Sequence, residues 1–172
     1  MKKISLLCLA LVLALGVMGV GFALWDKTVY IEGTVNTGEV NMEVLSAASD
    51  DPSGSIDPGK DKDVGMTTAQ INEDKQSVTV TVTNGYPCYE VYLHFSVQNV
   101  GTVPVRLQAI NVINPNPCIT VEAWDGLGEQ LEPGDRRDNS MWIHVEQCAD
   151  ELATYTFTVE FYYVQYNEYV EP

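Results

Sequence analysis

The chain has 172 residues, 24 acidic against 9 basic, for a formal net charge of −15. That length is enough for one domain with a sizeable core, and that charge repels nucleic acid and anionic membrane while keeping the surface soluble. Arg136-Arg137 is the one basic patch, so nucleic-acid binding is set aside.

Met1-Lys2-Lys3 precedes an uncharged apolar run over residues 4–25. A basic start, a leucine-rich centre and small residues around Gly21-Phe22-Ala23 describe a secretory signal peptide cut between Ala23 and Leu24. The run is also long enough for an uncleaved anchor. Cleavage is favoured because Gly16, Gly19 and Gly21 weaken the helix towards its end, and a strand pattern begins soon after. Cys8 lies inside the apolar run, which argues against a lipoprotein. Membrane contact is expected only through residues 1–23, before cleavage. The mature chain would keep 172 − 23 = 149 residues and a charge of 7 − 24 = −17.

Residues 28–35 alternate, with Val29, Ile31, Gly33 and Val35 on one face, and Val40, Met42 and Val44 form the next apolar face. Two short strands are expected there. Residues 46–62 are small, acidic and rich in Pro and Gly, which makes a surface loop. Its carboxylates Asp50, Asp51, Asp57, Asp61 and Asp63 are calcium candidates, since hard cations take several carboxylate oxygens. Their spacing matches no EF-hand, and a solvated acidic loop is the ordinary alternative. Residues 64–71 suggest an edge strand. In residues 77–83, Val78, Val80 and Val82 alternate with threonines, a strand with one wet face.

Residues 86–112 are the centre of the pattern. Tyr89, Val91, Leu93, Phe95 and Val97 fall on one side, against Glu90, Tyr92, His94, Ser96 and Gln98 on the other. Asn99-Val100-Gly101-Thr102 supplies turn residues, and a second strand follows from Val103, its apolar phase slipping near Ala109 as a β-bulge would make it. The pair reads as a long antiparallel hairpin. Further strands are expected over residues 119–123 and 139–147, the latter after a Pro-Gly turn at Leu131-Glu132-Pro133-Gly134-Asp135. The last and longest has Tyr155, Phe157, Val159, Phe161 and Tyr163 facing in. Eight or nine strands separated by Gly, Pro and Asn turns indicate an all-β sandwich, immunoglobulin-like or jelly-roll, behind an N-terminal hydrophobic signal helix.

His94 and His144 are the two histidines, both on wet strand faces, and no HExxH zinc motif, nucleophile elbow or phosphate loop occurs. No enzyme activity and no cofactor are expected. Mature Cys88, Cys118 and Cys148 allow one intramolecular bridge and leave one thiol. Their presence suits an oxidising compartment. In an immunoglobulin-like order all three gather at one pole; a Cys88–Cys148 bridge is the first expectation, and pairing through Cys118 stays open.

Several segments together resemble the camelysin/TasA-like family. The junction GVGFALWDKTVYIEGTVNTGEVNMEV is similar to that family's amino termini, where a special signal peptidase cuts near an aromatic-Asp motif. The middle, NGYPCYEVYLHFSVQNVGTVPV followed by LEPGD, resembles its hairpin and Pro-Gly turn, and FTVEFYYVQYN resembles its closing strand. Tyr166 stands where Trp is commoner, Lys27 follows Trp-Asp, and the acidic insertion is not general. The resemblance implies a jelly-roll-like sandwich exported to the cell surface as a homo-oligomer, in matrix fibres or pili. There the amino-terminal segment of one subunit completes the sheet of the next. Trp25, Val29, Ile31 and Val35 are the donor-strand candidates. Two other readings compete with it. One is a monomeric extracellular binding module or adhesin using Tyr92, His94, Trp142 and His144; the other is a secreted metalloprotease, for which no zinc motif is present.

Overall fold

The computed structural model describes residues 2–19, 28–123, 126–150 and 152–171. It divides into two compact units, Met1–Asn36 and Thr37–Pro172.

The first unit holds helix α1, Lys2–Gly19, built from leucine and alanine, which lose little freedom in a helix. Among the described residues no helix is long and apolar enough to cross a membrane. Ala23, Leu24 and Trp25 lie outside the described residues. The strand expected over residues 28–35 does not form: residues 28–41 carry no strand, and Val29, Ile31 and Val35 are 77%, 91% and 86% exposed. Alternation specifies which face of a strand is apolar, but a strand needs a ladder partner before that face is buried.

The second unit is a two-sheet β-structure. Strands β1 (Met42–Ser49), β4 (Glu90–Asn99), β8 (Arg136–Val145) and β6 (Ile119–Ala123) form one sheet in the order β1-β4-β8-β6. Strands β2 (Met66–Ile71), β3 (Ser77–Thr83), β9 (Thr154–Gln165), β5 (Val105–Ile113) and the two-residue β7 (Gln130–Leu131) form the other, in the order β2-β3-β9-β5-β7. Every registered pairing is antiparallel. The inward residues of both sheets make one core, in which Val80, Val91, Leu93, Ile143, Phe157 and Val159 are all buried. Phe95 and Phe161 meet across it with ring centroids 4.6 Å apart. Each such aliphatic or aromatic side chain contributes on the order of 1.5–3 kcal/mol on burial.

The expected hairpin of residues 89–98 and 103–112 is corrected by this topology. β4 and β5 lie in different sheets, so the chain between them is an arch. Asn99 builds it: its buried carboxamide donates to Val103 O (2.9 Å) and Leu131 O (3.0 Å) and accepts from Gly101 N (3.0 Å). Val100 N and Gly101 N both donate to Asn41 O at 3.0 Å, and Thr102 N to Glu39 O at 2.9 Å. The backbone groups a hairpin would satisfy within its own sheet are taken here by residues 39–41 and by Asn99.

The bulge expected near Ala109 is present, as a register shift between Leu107 and Ala109 against β9. β2 is the expected edge strand, and β3 spans Ser77–Thr83 as read. β8 starts three residues earlier than expected, directly after the Pro-Gly turn, which Asp135 N closes on Glu132 O at 2.9 Å. Gly134 there has φ 91°, a conformation open to glycine and the mark of a type II turn after Pro133.

Candidate functional site

Three regions of the second unit gather polar or reactive side chains. The first is the outer face of the four-stranded sheet. The period of two that buries Val91, Leu93 and Phe95 turns Tyr92, His94 and Ser96 outward on β4, and Ser140, Trp142 and His144 outward on β8. Register places Tyr92 opposite Trp142, His94 opposite Ser140 and Ser96 opposite Asp138. The rings stack along each strand, Tyr92 on His94 with centroids 6.5 Å apart and Trp142 on His144 at 5.1 Å, both pairs 23° from parallel. His144 Nδ1 lies 3.3 Å from Glu90 Oε1, and His144 Nε2 lies 3.8 Å from Glu146 Oε2.

A groove of about 510 Å³ opens on this face, lined by Ser46, His94, Ser96, Arg136, Asp138 and Ser140 among others. The edge strand β1 contributes through a bulge between Val44 and Ser46, which puts Leu45 out of register. Arg136 Nη2 and Asp138 Oδ1 pair at 2.9 Å on its wall. The Ser96 hydroxyl is buried at the floor and makes no hydrogen bond of good geometry. It faces the Asp138 carboxyl, which that hydroxyl and the Arg136 guanidinium together hold below the usual carboxylate range.

The second region is the acidic loop between β1 and β2. Its five candidate calcium ligands are divided among different tasks. Asp57 is buried and accepts from Val64 N (2.9 Å) and Gly65 N (3.1 Å). Asp51 is fully buried; its Oδ2 accepts from the Tyr89 hydroxyl at 2.5 Å, while Oδ1 has no partner. Asp50 accepts from Tyr92 N at 2.9 Å, and Asp61 and Asp63 face solvent. Burial pushes the Asp51 carboxyl up, against the Tyr89 hydrogen bond that lowers it; the charge of Asp57 adds to the rise. Tyr86 is pushed up to about 12 by burial and then by Asp57. Among the described residues no three His, Cys, Asp or Glu side chains are placed to hold a metal ion.

The third region is the cysteine pole. Cys118 and Cys148 form the disulfide, Cα–Cα 5.5 Å, while Cys88 is free and exposed. This corrects the expected Cys88–Cys148 pairing. β8 lies between β4 and β6, so Cys148 is flanked by Cys88 on one side and Cys118 on the other. The β6–β8 ladder continues to the bridge, Glu146 N donating to Cys118 O at 2.8 Å. On the other flank Cys88 N also bonds β8, donating to Val145 O at 2.9 Å, but the chain turns there: Cys88 has φ 64°, Tyr89 N closes on Tyr86 O at 2.9 Å, and Cys88 Sγ accepts from Gln147 Nε2 at 3.0 Å. The two flanks look alike in the sequence, and only the local turn tells them apart.

The two flanks of the sandwich also differ. At one, β1 and β2 are tied together, Thr67 N donating to Asp51 O at 2.9 Å. At the other, among the described residues, β6 has no registered neighbour beyond β8. There β5 is covered by β7 at Val105 and Arg106 and by Gly128 N on Leu107 O at 2.9 Å, but has no registered neighbour opposite β9 over residues 109–113, where Ile113 is 54% exposed. This open edge was not read from the sequence, because strand order was not. Comparison with protein-family models, with curated proteins and with solved structures finds no match for this chain.

Proposed function

We propose that the chain is an exported structural protein that assembles at the cell surface, residues 24–35 of one copy adding a strand to the sandwich of the next. The observation that carries this is the state of residues 28–35. They have the apolar alternation of a strand, yet Val29, Ile31 and Val35 stand exposed without a ladder. A segment of that kind is stabilised by any sheet edge that offers it hydrogen bonds and an apolar face.

The free β5 edge supports the reading from the other side. The bonding on that edge ends at Leu107, whose carbonyl accepts from Gly128 N at 2.9 Å; among the described residues, 109–113 have no registered neighbour opposite β9, and Ile110 and Val112 are only partly buried against the core. The sequence resemblance to camelysin/TasA-like proteins supports export, a jelly-roll form of sandwich and fibre formation. The basic and leucine-rich start of the chain supports a signal helix removed at Ala23.

Electron microscopy of two purified forms tests the proposal. A chain beginning at Leu24 forms fibres, and a chain beginning at Thr37 stays dispersed. Dispersed particles from both forms refute it.

A further inference from the structure

We infer that the groove on the outer face of the β1-β4-β8-β6 sheet, extended by the Tyr92 and Trp142 rings, binds a neutral polysaccharide chain. The starting observation is a contrast between the two outer faces of one sandwich. On the five-stranded sheet the same outward positions hold threonine, Thr79 and Thr81 registered against Thr158 and Thr156. Around those threonines the wet surface is built without rings, and the exposed ring of that face, Tyr162, stands further along β9 at 55% exposure. On the four-stranded sheet those positions carry two aromatic stacks, with Tyr92 48% exposed, beside a concave opening of about 510 Å³. Exposed aromatic surface next to a concavity marks a binding surface.

The chemistry of the groove narrows the occupant. Two ring pairs, each within 23° of parallel, run along neighbouring strands about 4.8 Å apart and offer an aromatic platform beside the groove. The C–H faces of pyranose rings fit such a platform. Next along the strands come Ser140 and His94, then Asp138, Ser96 and Arg136, which between them donate and accept hydrogen bonds. Sugar hydroxyls do both.

Charge excludes other polymers. Arg136 and Asp138 compensate one another at 2.9 Å, so the groove selects neither sign, and a molecule of net charge −15 repels polyanions. A peptide would be taken at a free strand edge, whereas the rings and most of the groove stand on β4 and β8, the two inner strands, each paired on both sides. The groove lies open along the sheet, which suits a chain rather than an enclosed small molecule. Binding here does not depend on strand exchange between copies.

Affinity electrophoresis of the full chain through gels containing a soluble neutral glucan, with a polyuronate gel for comparison, tests the inference. The glucan retards the protein and the polyuronate does not. Trp142→Ala weakens retardation at least tenfold, and Asp138→Asn or Ser140→Trp weakens it severalfold; far-UV circular dichroism verifies folding of each. Ser140→Trp fills the groove without removing a ring, so it decides the matter even where Trp142→Ala fails to fold. Lack of retardation by the glucan, retardation by the polyuronate alone, or glucan retardation unchanged in Ser140→Trp each overturns the inference.

Discussion

The hydroxyl of Tyr89 donates to Asp51 Oδ2 at 2.5 Å, joining the start of β4 to the acidic loop in a contact where both side chains are buried. Tyr89 also lies 3.0 Å from Thr67 Oγ1, so the phenol bridges loop and edge strand. Tyr89→Phe removes the donor and leaves the carboxylate with neither oxygen satisfied. The expected cost is about 1–3 kcal/mol in urea unfolding. An unchanged unfolding midpoint contradicts the bridge.

The same carboxyl has a pH signature. Burial raises the Asp51 pKa above its ordinary 3.8, so the folded state binds the proton more tightly than the unfolded chain. Its contribution to stability is fully present below that ordinary value and is lost as pH rises through the raised folded pKa. Asp51→Asn removes the titration. The variant should therefore gain on the parent as pH climbs from acid towards neutral, read by urea unfolding at several pH values. A gap that is flat with pH, or narrows, contradicts this assignment.

Asn99 holds the arch between the sheets with three side-chain hydrogen bonds. Asn99→Ala removes the side-chain donor from Val103 O and Leu131 O and leaves Gly101 N with Asn41 O alone, at a cost on the order of 2–3 kcal/mol. Gly101→Ala tests the same place differently: a Cβ there would meet the Glu39 carbonyl oxygen and the Asn41 amide nitrogen, both backbone. Both variants should unfold at lower denaturant than the parent, and a hairpin arrangement predicts little effect from either.

The arch shows where sequence reading ends. Which residues face inward is a local property, repeated every second position, and Tyr89 through Val97 declare it without ambiguity. Which strand lies beside which is not local. Asn99-Val100-Gly101-Thr102 has the composition of a hairpin turn, yet its amides go to Asp135 O and to residues 39–41, roughly sixty positions earlier. The Leu107–Ala109 bulge was legible because it shifts the phase of the apolar residues within one strand. β7 was not, because two residues carry no period. At the candidate groove the rings were visible as outward positions, but the concavity depends on the β1 bulge and the β8 neighbour, which is a matter of register.

Breaking the Cys118–Cys148 bridge releases a closure across 30 residues. On the chain-entropy estimate that costs about 3–4 kcal/mol. Peptide mapping should find that bridge and a free Cys88. Cys88→Ser should leave stability within about 0.5 kcal/mol, as for an exposed position. A mapped Cys88–Cys148 bridge contradicts the pole as described.

Sedimentation velocity of the chain beginning at Leu24, with and without Ile31→Asp, bears most directly on assembly. Ile31 is 91% exposed in the single chain, so a charge there costs that chain nothing, whereas in a donated strand it would be driven into an apolar face. The parent is predicted to sediment as large polymers and the variant as a single small species. Polymers of equal size from both, or a small species from both, would contradict the donated strand.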